Sequence, residues 1–274
     1  MEINARTRLL AIIGDPVEHS LSPAMHNAAF RVLGLNAAYV ALRCPAASLP
    51  SLLAGLAAVH AAGNITVPHK EAAERCLTRK TDLCARVGAC NTYWSEGGAL
   101  VGDNTDVHGV LASLRALGAG TGRGERWLLL GTGGAARAVA VAAADAHADL
   151  LVRSRDAARG RAFVDWAVSK GARAQVAGND PADVAINATP LGLKDADPIP
   201  LEPAQARGVR AALDLVYRQG ETRWVRAWRA AGVPAQDGRE MLLQQGVAAF
   251  ARFFPDISAP TEVMRAALAR ALRG

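Results

Sequence analysis

Long apolar runs, paired cysteines, aromatic rings and clustered lysines are all scarce in this 274-residue chain, and each scarcity removes a class of protein. The first apolar stretch, residues 9–13, stops at Gly14-Asp15-Pro16, too short for a signal segment or a membrane span. No membrane partner is expected. Residues 139–151 are mostly alanine but are broken by Asp145, His147 and Asp149, so they read as a packed helix running into the next strand. Four cysteines, Cys44, Cys76, Cys84 and Cys90, occur singly and never in a CxxC spacing. That argues against a zinc finger, a redox dithiol or a disulfide framework, and fits a reducing cytoplasm. None of the six histidines falls in HExxH or another ligand spacing, so no metal is expected.

Nucleic acid is an unexpected partner for a related reason. The formal charge of +6 comes almost entirely from arginines scattered through the second half, and aromatics make up only 5%. A nucleic-acid surface gathers its cations into a stripe with interleaved rings. A solvated basic surface suited to small anionic molecules is the simpler reading.

What remains is an ordinary globular composition, 51% apolar and 20% charged, in a chain long enough for one large or two medium domains. Strand-like runs at 9–13, 38–42, 65–67, 128–130, 150–152, 184–187 and 212–216 alternate with alanine-rich helical stretches. This is the pattern of βαβ units on largely parallel sheets, so the fold class is α/β. Ser22 is placed as an N-cap before Pro23, and residues 24–33 carry a helical period ended by Gly34. Residues 118–124 contain four glycines and suggest a domain junction. Two further helices, near 241–254 and 262–272, follow the last strand and could return to either domain.

The clearest chemical signal is Gly131-Thr132-Gly133-Gly134-Ala135-Ala136-Arg137, set between Leu128-Leu129-Leu130 and an alanine-rich helix. The spacing matches G-x-G-x-x-A. Gly131 allows the tight turn, Gly133 lets the backbone approach a pyrophosphate, and Ala136 allows close helix packing. About twenty residues on, where an NAD enzyme places an acid on the ribose, stand Ser154, Arg155, Asp156 and Arg159. Arginine forks match phosphate oxygens, which favours the 2′-phosphate of NADP over NAD, with Asp156 pulling the other way.

Small polar residues in the first half form a second signal: Ser20 and Ser22, then Asn64, Thr66 and Lys70, then Asn91-Thr92, then Asn104-Thr105-Asp106. Hydroxyls, amides, an ammonium and a carboxylate suit a polyhydroxylated ring on which a proton must move. Taken singly, each also has a structural reading. Ser22 and Thr105 could cap helices, Asn64 and Asn91 could sit in turns, and Lys70 and Asp106 could be a surface ion pair.

Together these segments resemble the shikimate dehydrogenase family. The matching motifs are PVEHSLSPAMH at 16–26, NITVPHK at 64–70, ACNT at 89–92, GDNTD at 102–106, GTGGAAR at 131–137, INATPLG at 186–192, DLVY at 214–217 and DGREMLLQQ at 237–245. The resemblance implies a substrate domain of residues 1–104 plus about 240–274, and a Rossmann-type domain of about 105–239. It implies reversible NADPH-dependent reduction of 3-dehydroshikimate to shikimate. Carried over position by position, Ser20, Ser22, Asn64, Thr66, Lys70, Asn91, Asp106, Tyr217 and Gln245 contact substrate, with the two serines on the ring carboxylate. Lys70 and Asp106 form the catalytic pair. Gly131, Thr132, Gly133, Gly134, Ala135, Ser154, Arg155, Arg159 and Thr189 fall to the cofactor, and a monomer or homodimer is expected.

Three positions depart from the family pattern. Glu240 replaces a common glycine near the nicotinamide, His69 stands where phenylalanine is frequent and is expected to pack, and Asp156 stands where NADP-specific members often have threonine. A quinate/shikimate dehydrogenase with dual cofactor use is the near alternative. A non-catalytic NADP-binding regulator would keep the glycine loop but has no reason to keep Lys70, Asp106 and the polar set.

Overall fold

A computed structural model describes residues 3–120 and 124–273. One compact unit runs to Thr105 and resumes at Leu242, and the other is Asp106–Met241. The first contains β1 (Arg8–Gly14), α1 (Ser22–Val32), β2 (Ala37–Arg43), α2 (Leu49–Ala58), β3 (Ala62–Ile65), α3 (Lys70–Cys76), β4 (Arg79–Lys80), α4 (Asp82–Val87), β5 (Thr92–Glu96) and β6 (Ala99–Asp103). The second follows with α5 (Asp106–Ala116), β7 (Arg126–Leu130), α6 (Gly134–Asp145), β8 (Asp149–Arg153), α7 (Ala157–Ser169), β9 (Arg173–Val176), β10 (Val184–Asn187), β11 (Ala211–Asp214), α8 (Arg223–Ala230) and β12 (Ala235–Gln236). Then α9 (Arg239–Phe253) carries the chain back into the first unit, and α10 (Thr261–Ala271) ends it. No described helix is long and apolar enough to cross a membrane.

The first sheet has the order β2-β1-β3-β5-β6-β4. It is mixed rather than largely parallel: β1 pairs β2 and β3 in parallel, but β5 runs antiparallel to both β3 and β6. β5 and β6 are joined by the two-residue turn at Gly97-Gly98, where both glycines have positive φ, as a tight antiparallel hairpin requires. The third strand lies at Ala62–Ile65, not at 65–67, and Val67 is exposed. Gly63 obscures it in the sequence. A Cβ there would sit 1.8 Å from the Ala11 carbonyl oxygen, so β1 and β3 approach this closely only across a glycine.

Ser22 is the first helical residue of α1 rather than its cap; Leu21 takes the cap position and no side chain caps the end. Leu10, Phe30 and Tyr39 pack with Leu243, Phe250, Phe253 and Met264, so the returning helices complete this unit's core. Ile13, Leu53, Ile65 and Tyr93 belong to a second buried cluster.

The second sheet, β12-β11-β10-β7-β8-β9, is parallel throughout. Its strands are short apolar runs, and α6 buries Ala136, Ala138 and the continuous 139–143 stretch. Small side chains of high helix propensity make that contact possible. The last long run ends at Asp214 rather than 216, because the Asp214 carboxylate turns back to accept the Val216 N–H at 3.1 Å. The glycine-rich segment lies inside this unit, between α5 and β7; its residues 121–123 fall outside the described residues.

Candidate active site

In the first unit, strand direction gathers the polar set at one edge. Loops leaving the carboxyl ends of parallel β1 and β3 carry Ser20, Thr66 and Lys70, and register pairs Asn64 with Thr92 and Thr92 with Asp103. Ligands bind at such carboxyl-end edges in α/β sheets. The loops are held close: Thr66 N–H donates to Ile13 O at 2.8 Å, Asp15 N–H donates to Val67 O at 3.1 Å, and a Cβ on Gly14 would strike Thr66. Ser20 Oγ accepts the Ser22 N–H at 3.3 Å.

Asn64, Asn91, Thr92, Thr105 and Gln245 are buried and joined into one hydrogen-bond network. Asn91 is therefore more than a turn residue, and Thr105 bonds to Asn91 and Thr92 through its side chain. Asp106 opens α5 and is 4% exposed, which rules out a surface ion pair. Lys70 opens α3, where its carbonyl accepts the Cys90 N–H at 2.8 Å.

His69 packs, as expected: it is buried, and its Nε2 lies 2.6 Å from Cys44 O, so that nitrogen carries the proton. This ties the start of α3 to the end of β2. Asp103, absent from the predicted set, is fully buried and accepts from Thr81 Oγ1 at 2.5 Å, Asn104 N–H at 2.7 Å and the Arg252 guanidinium at 2.8 Å. It anchors β6 to both α4 and α9. The signal lies in GDNTD, where an aspartate at the end of β6 precedes the Asn104-Thr105-Asp106 run.

In the second unit, backbone does most of the work. Gly131 leaves β7 at φ +103°, a conformation that favours glycine, and a Cβ there would lie 3.1 Å from Ala188 O and the Thr189 methyl. Gly133 caps α6, is exposed, and has open space where a Cβ would be, as does Gly134. The first-turn amides of a helix lack intrahelical acceptors. An open, amide-lined turn of this kind fits a dinucleotide pyrophosphate.

A buried carboxylate organises the neighbouring loops. Asp214 accepts from Asn187 Nδ2 at 2.8 Å, Val216 N–H at 3.1 Å and Thr222 Oγ1 at 2.7 Å. Asn187 Oδ1 in turn accepts the Thr189 N–H at 3.0 Å and its hydroxyl at 2.7 Å. The 188–191 and 215–217 segments are thus held by two mutually bonded side chains, Asn187 and Asp214. Burial pushes the Asp214 pKa up to about 6 against the lowering effect of Thr222 and its other donors. Tyr217 is half-buried, and burial raises its hydroxyl pKa.

At the end of β8, Ser154 is half-buried and Arg155 and Arg159 are exposed. Asp156 is the N-cap of α7: its carboxylate accepts from Ala158 N–H at 2.9 Å and Arg159 N–H at 3.1 Å. Among the described residues no group of three or more His, Cys, Asp or Glu is placed to hold a metal.

Residues 12–93 match the family described as shikimate dehydrogenase substrate binding domain, and 238–269 match the shikimate 5′-dehydrogenase C-terminal domain. A shikimate dehydrogenase (NADP(+)) of Symbiobacterium thermophilum is 40% identical over 97% of this chain and 95% of that protein. This chain belongs to the shikimate dehydrogenase family. A crystal structure of the Thermus thermophilus shikimate 5-dehydrogenase with NADP(H) and shikimate matches at TM-score 0.86 and 37% identity, over 97% of this chain and all of that one. A 5-ketofructose reductase of Gluconobacter matches at TM-score 0.86 and 28% identity, over 97% of this chain and 99% of that one, so the fold also serves another reductase.

Within the shikimate dehydrogenase family pattern, two of the three departures have clear local placements. His69 and Asp156 each satisfy backbone groups. Glu240 is half-buried in the first turn of α9, beside Arg239, whose guanidinium reaches Asp237 at 2.7 Å and the Gly220 carbonyl at 3.0 Å.

Proposed function

We propose that this chain is an NADP-dependent shikimate dehydrogenase that interconverts 3-dehydroshikimate and shikimate. The observation that carries the reading is the buried amide and hydroxyl network at the carboxyl-end edge of the first sheet, in the unit that also presents Lys70. On this reading residues 1–104 with about 240–274 take the substrate, and about 105–239 take the dinucleotide.

Bound NADPH supplies a hydride to the ketone carbon. The chain's own task is to hold the ring and to manage the proton. Ser20 and Ser22 hydroxyls receive the ring carboxylate, while Asn64, Thr66, Asn91, Gln245 and Tyr217 receive its other polar groups. Lys70 delivers a proton to the oxygen as it gains charge, and Asp106 orients the ammonium and helps relay its replacement. The 131–135 turn takes the pyrophosphate, with Thr189 beside Gly131. Ser154, Arg155 and Arg159 take the 2′-phosphate. The reading also takes the protein as cytoplasmic, a monomer or homodimer, with small molecules as its partners.

A dual-cofactor quinate/shikimate dehydrogenase is the second reading, and Asp156 is the residue that raises it. A steady-state panel of shikimate and quinate against NADP and NAD separates the two. Shikimate with NADP should give the highest kcat/KM; preferred turnover of quinate, or of NAD, would move the chain to the second reading.

A further inference from the structure

The polarity of the buried network in the first unit is settled by backbone groups, which can donate or accept but not both. Asn91 O only accepts, so the Asn64 atom 3.0 Å from it is Nδ2. The other Nδ2 hydrogen goes to Thr92 Oγ1 at 3.0 Å. Both amide hydrogens are therefore engaged. Thr105 N–H only donates, so it faces Asn91 Oδ1, at 2.7 Å. Leu242 O only accepts, so Gln245 Nε2 faces it at 2.8 Å, leaving Oε1 toward Asn91 Nδ2 at 3.4 Å.

One consequence falls on Tyr39. Its hydroxyl lies 2.6 Å from Asn64 Oδ1, and since that atom can only accept, Tyr39 must be the donor. The ring has little freedom. It is 2% exposed, stacks on His26 with centroids 4.5 Å apart at 7°, and its backbone is bracketed by Asn27, which donates to Tyr39 O at 2.8 Å and accepts from Tyr39 N–H at 2.9 Å.

We infer that Tyr39 is a positioning residue for substrate recognition: it pins the Asn64 amide so that Asn64 offers the substrate only an acceptor, and the group held there must be a hydroxyl donating its hydrogen. The inference rests on the shikimate dehydrogenase reading and extends it to a residue outside the predicted set.

Tyr93 provides the control. It is a second buried tyrosine of the same unit, but its hydroxyl donates to the Ala11 carbonyl at 3.3 Å. Losing one oriented hydrogen bond should make Tyr39→Phe raise the shikimate KM about tenfold, with kcat within about threefold and the NADP KM unchanged. Tyr93→Phe should lower Tm without moving the shikimate KM. In an Asn64→Ala background, Tyr39→Phe should add no further rise, since the two act as one unit.

Two replacements at position 39 test the donor itself and stand in if the phenylalanine variant folds poorly. 4-Fluorophenylalanine keeps the shape and cannot donate, so it should raise KM; 4-aminophenylalanine keeps a donor and should restore it. Equal shikimate KM in these two variants, or an equal rise in Tyr93→Phe, would overturn the proposal. A parent chain that fails to turn over shikimate would instead remove the underlying reading, and this inference with it.

Discussion

The two units prepare for their ligands by different means. On the proposed function the first meets a ring of hydroxyls with side chains, namely amides and hydroxyls whose orientations are locked by Asn91 O, Thr105 N–H and Leu242 O. The second presents mainly backbone, a glycine turn and a helix end, and uses the fully buried Asp214 carboxylate to hold the loops. Recognition of a polyol needs distinct donors and acceptors at fixed points, which here amide and hydroxyl side chains supply once backbone groups have set their polarity. A pyrophosphate needs amides and room, which glycine supplies by lacking a side chain.

Breaking the first unit's chemistry should give the largest effect. Lys70→Ala should lower kcat by about 10² to 10⁴ with little change in KM, as for proton transfer made only in the transition state. Stopped-flow and steady-state rates within a few-fold of the parent would mean that Lys70 serves only structure.

The units should also part company in acid. His26 is fully buried, neither ring nitrogen has a partner among the described residues, and burial lowers its pKa to about 3. A depressed histidine pKa stabilises the fold above about 6.5, and that contribution is lost as pH falls toward 3, by up to about 4–5 kcal/mol. Asp214 has the opposite sign. With a folded pKa raised to about 6, it stabilises the fold below about 3.8 and loses that contribution as pH rises through 6, by up to about 3 kcal/mol. Calorimetry from pH 4 to 8 should show His26→Leu gaining stability relative to the parent as pH falls, and Asp214→Asn gaining relative to the parent as pH rises. Parallel curves in both variants would show that neither group titrates with folding.

The same division explains what could be read in the sequence. Val184–Asn187 stood out because a buried parallel strand is a plain apolar run. Ala62–Ile65 did not, since Gly63 serves a close approach that leaves no hydrophobic mark. The motif residues of the first site were legible as types, but Tyr39 was not: nothing in AAYVALR distinguishes a packing tyrosine from one that ends a hydrogen-bond chain. Asp103 and Asp214 were seen within motifs while their roles as anchors depended on strand register. Such roles join residues far apart in the chain, and periodicity is blind to them.

Cofactor choice sharpens the comparison with a smaller effect. Arg155 and Arg159 offer charge-assisted bonds worth about 1.5–3 kcal/mol to a 2′-phosphate. NADP should therefore exceed NAD in kcat/KM by roughly tenfold or more, and Arg155→Ala should erase most of the gap by weakening NADP alone. Equal loss of both cofactors would place Arg155 outside phosphate recognition.

The smallest expected effect concerns Asp156, the residue that argues for NAD. A carboxylate holding ribose hydroxyls would have to face the ligand, yet both described contacts of the Asp156 carboxylate are with the amides of its own helix, Ala158 and Arg159. An N-cap of this kind is worth about 1 kcal/mol, and an acid at a helix N-terminus is further favoured by the helix dipole. Asp156→Ala should thus lower stability by about 1 kcal/mol while leaving the NAD kcat/KM within about twofold. Asp156→Ser, which can still cap, should recover most of that stability. If instead the alanine variant loses NAD activity tenfold with its Tm intact, the carboxylate serves the ribose, and the second unit reads its cofactor with a side chain just as the first reads its substrate.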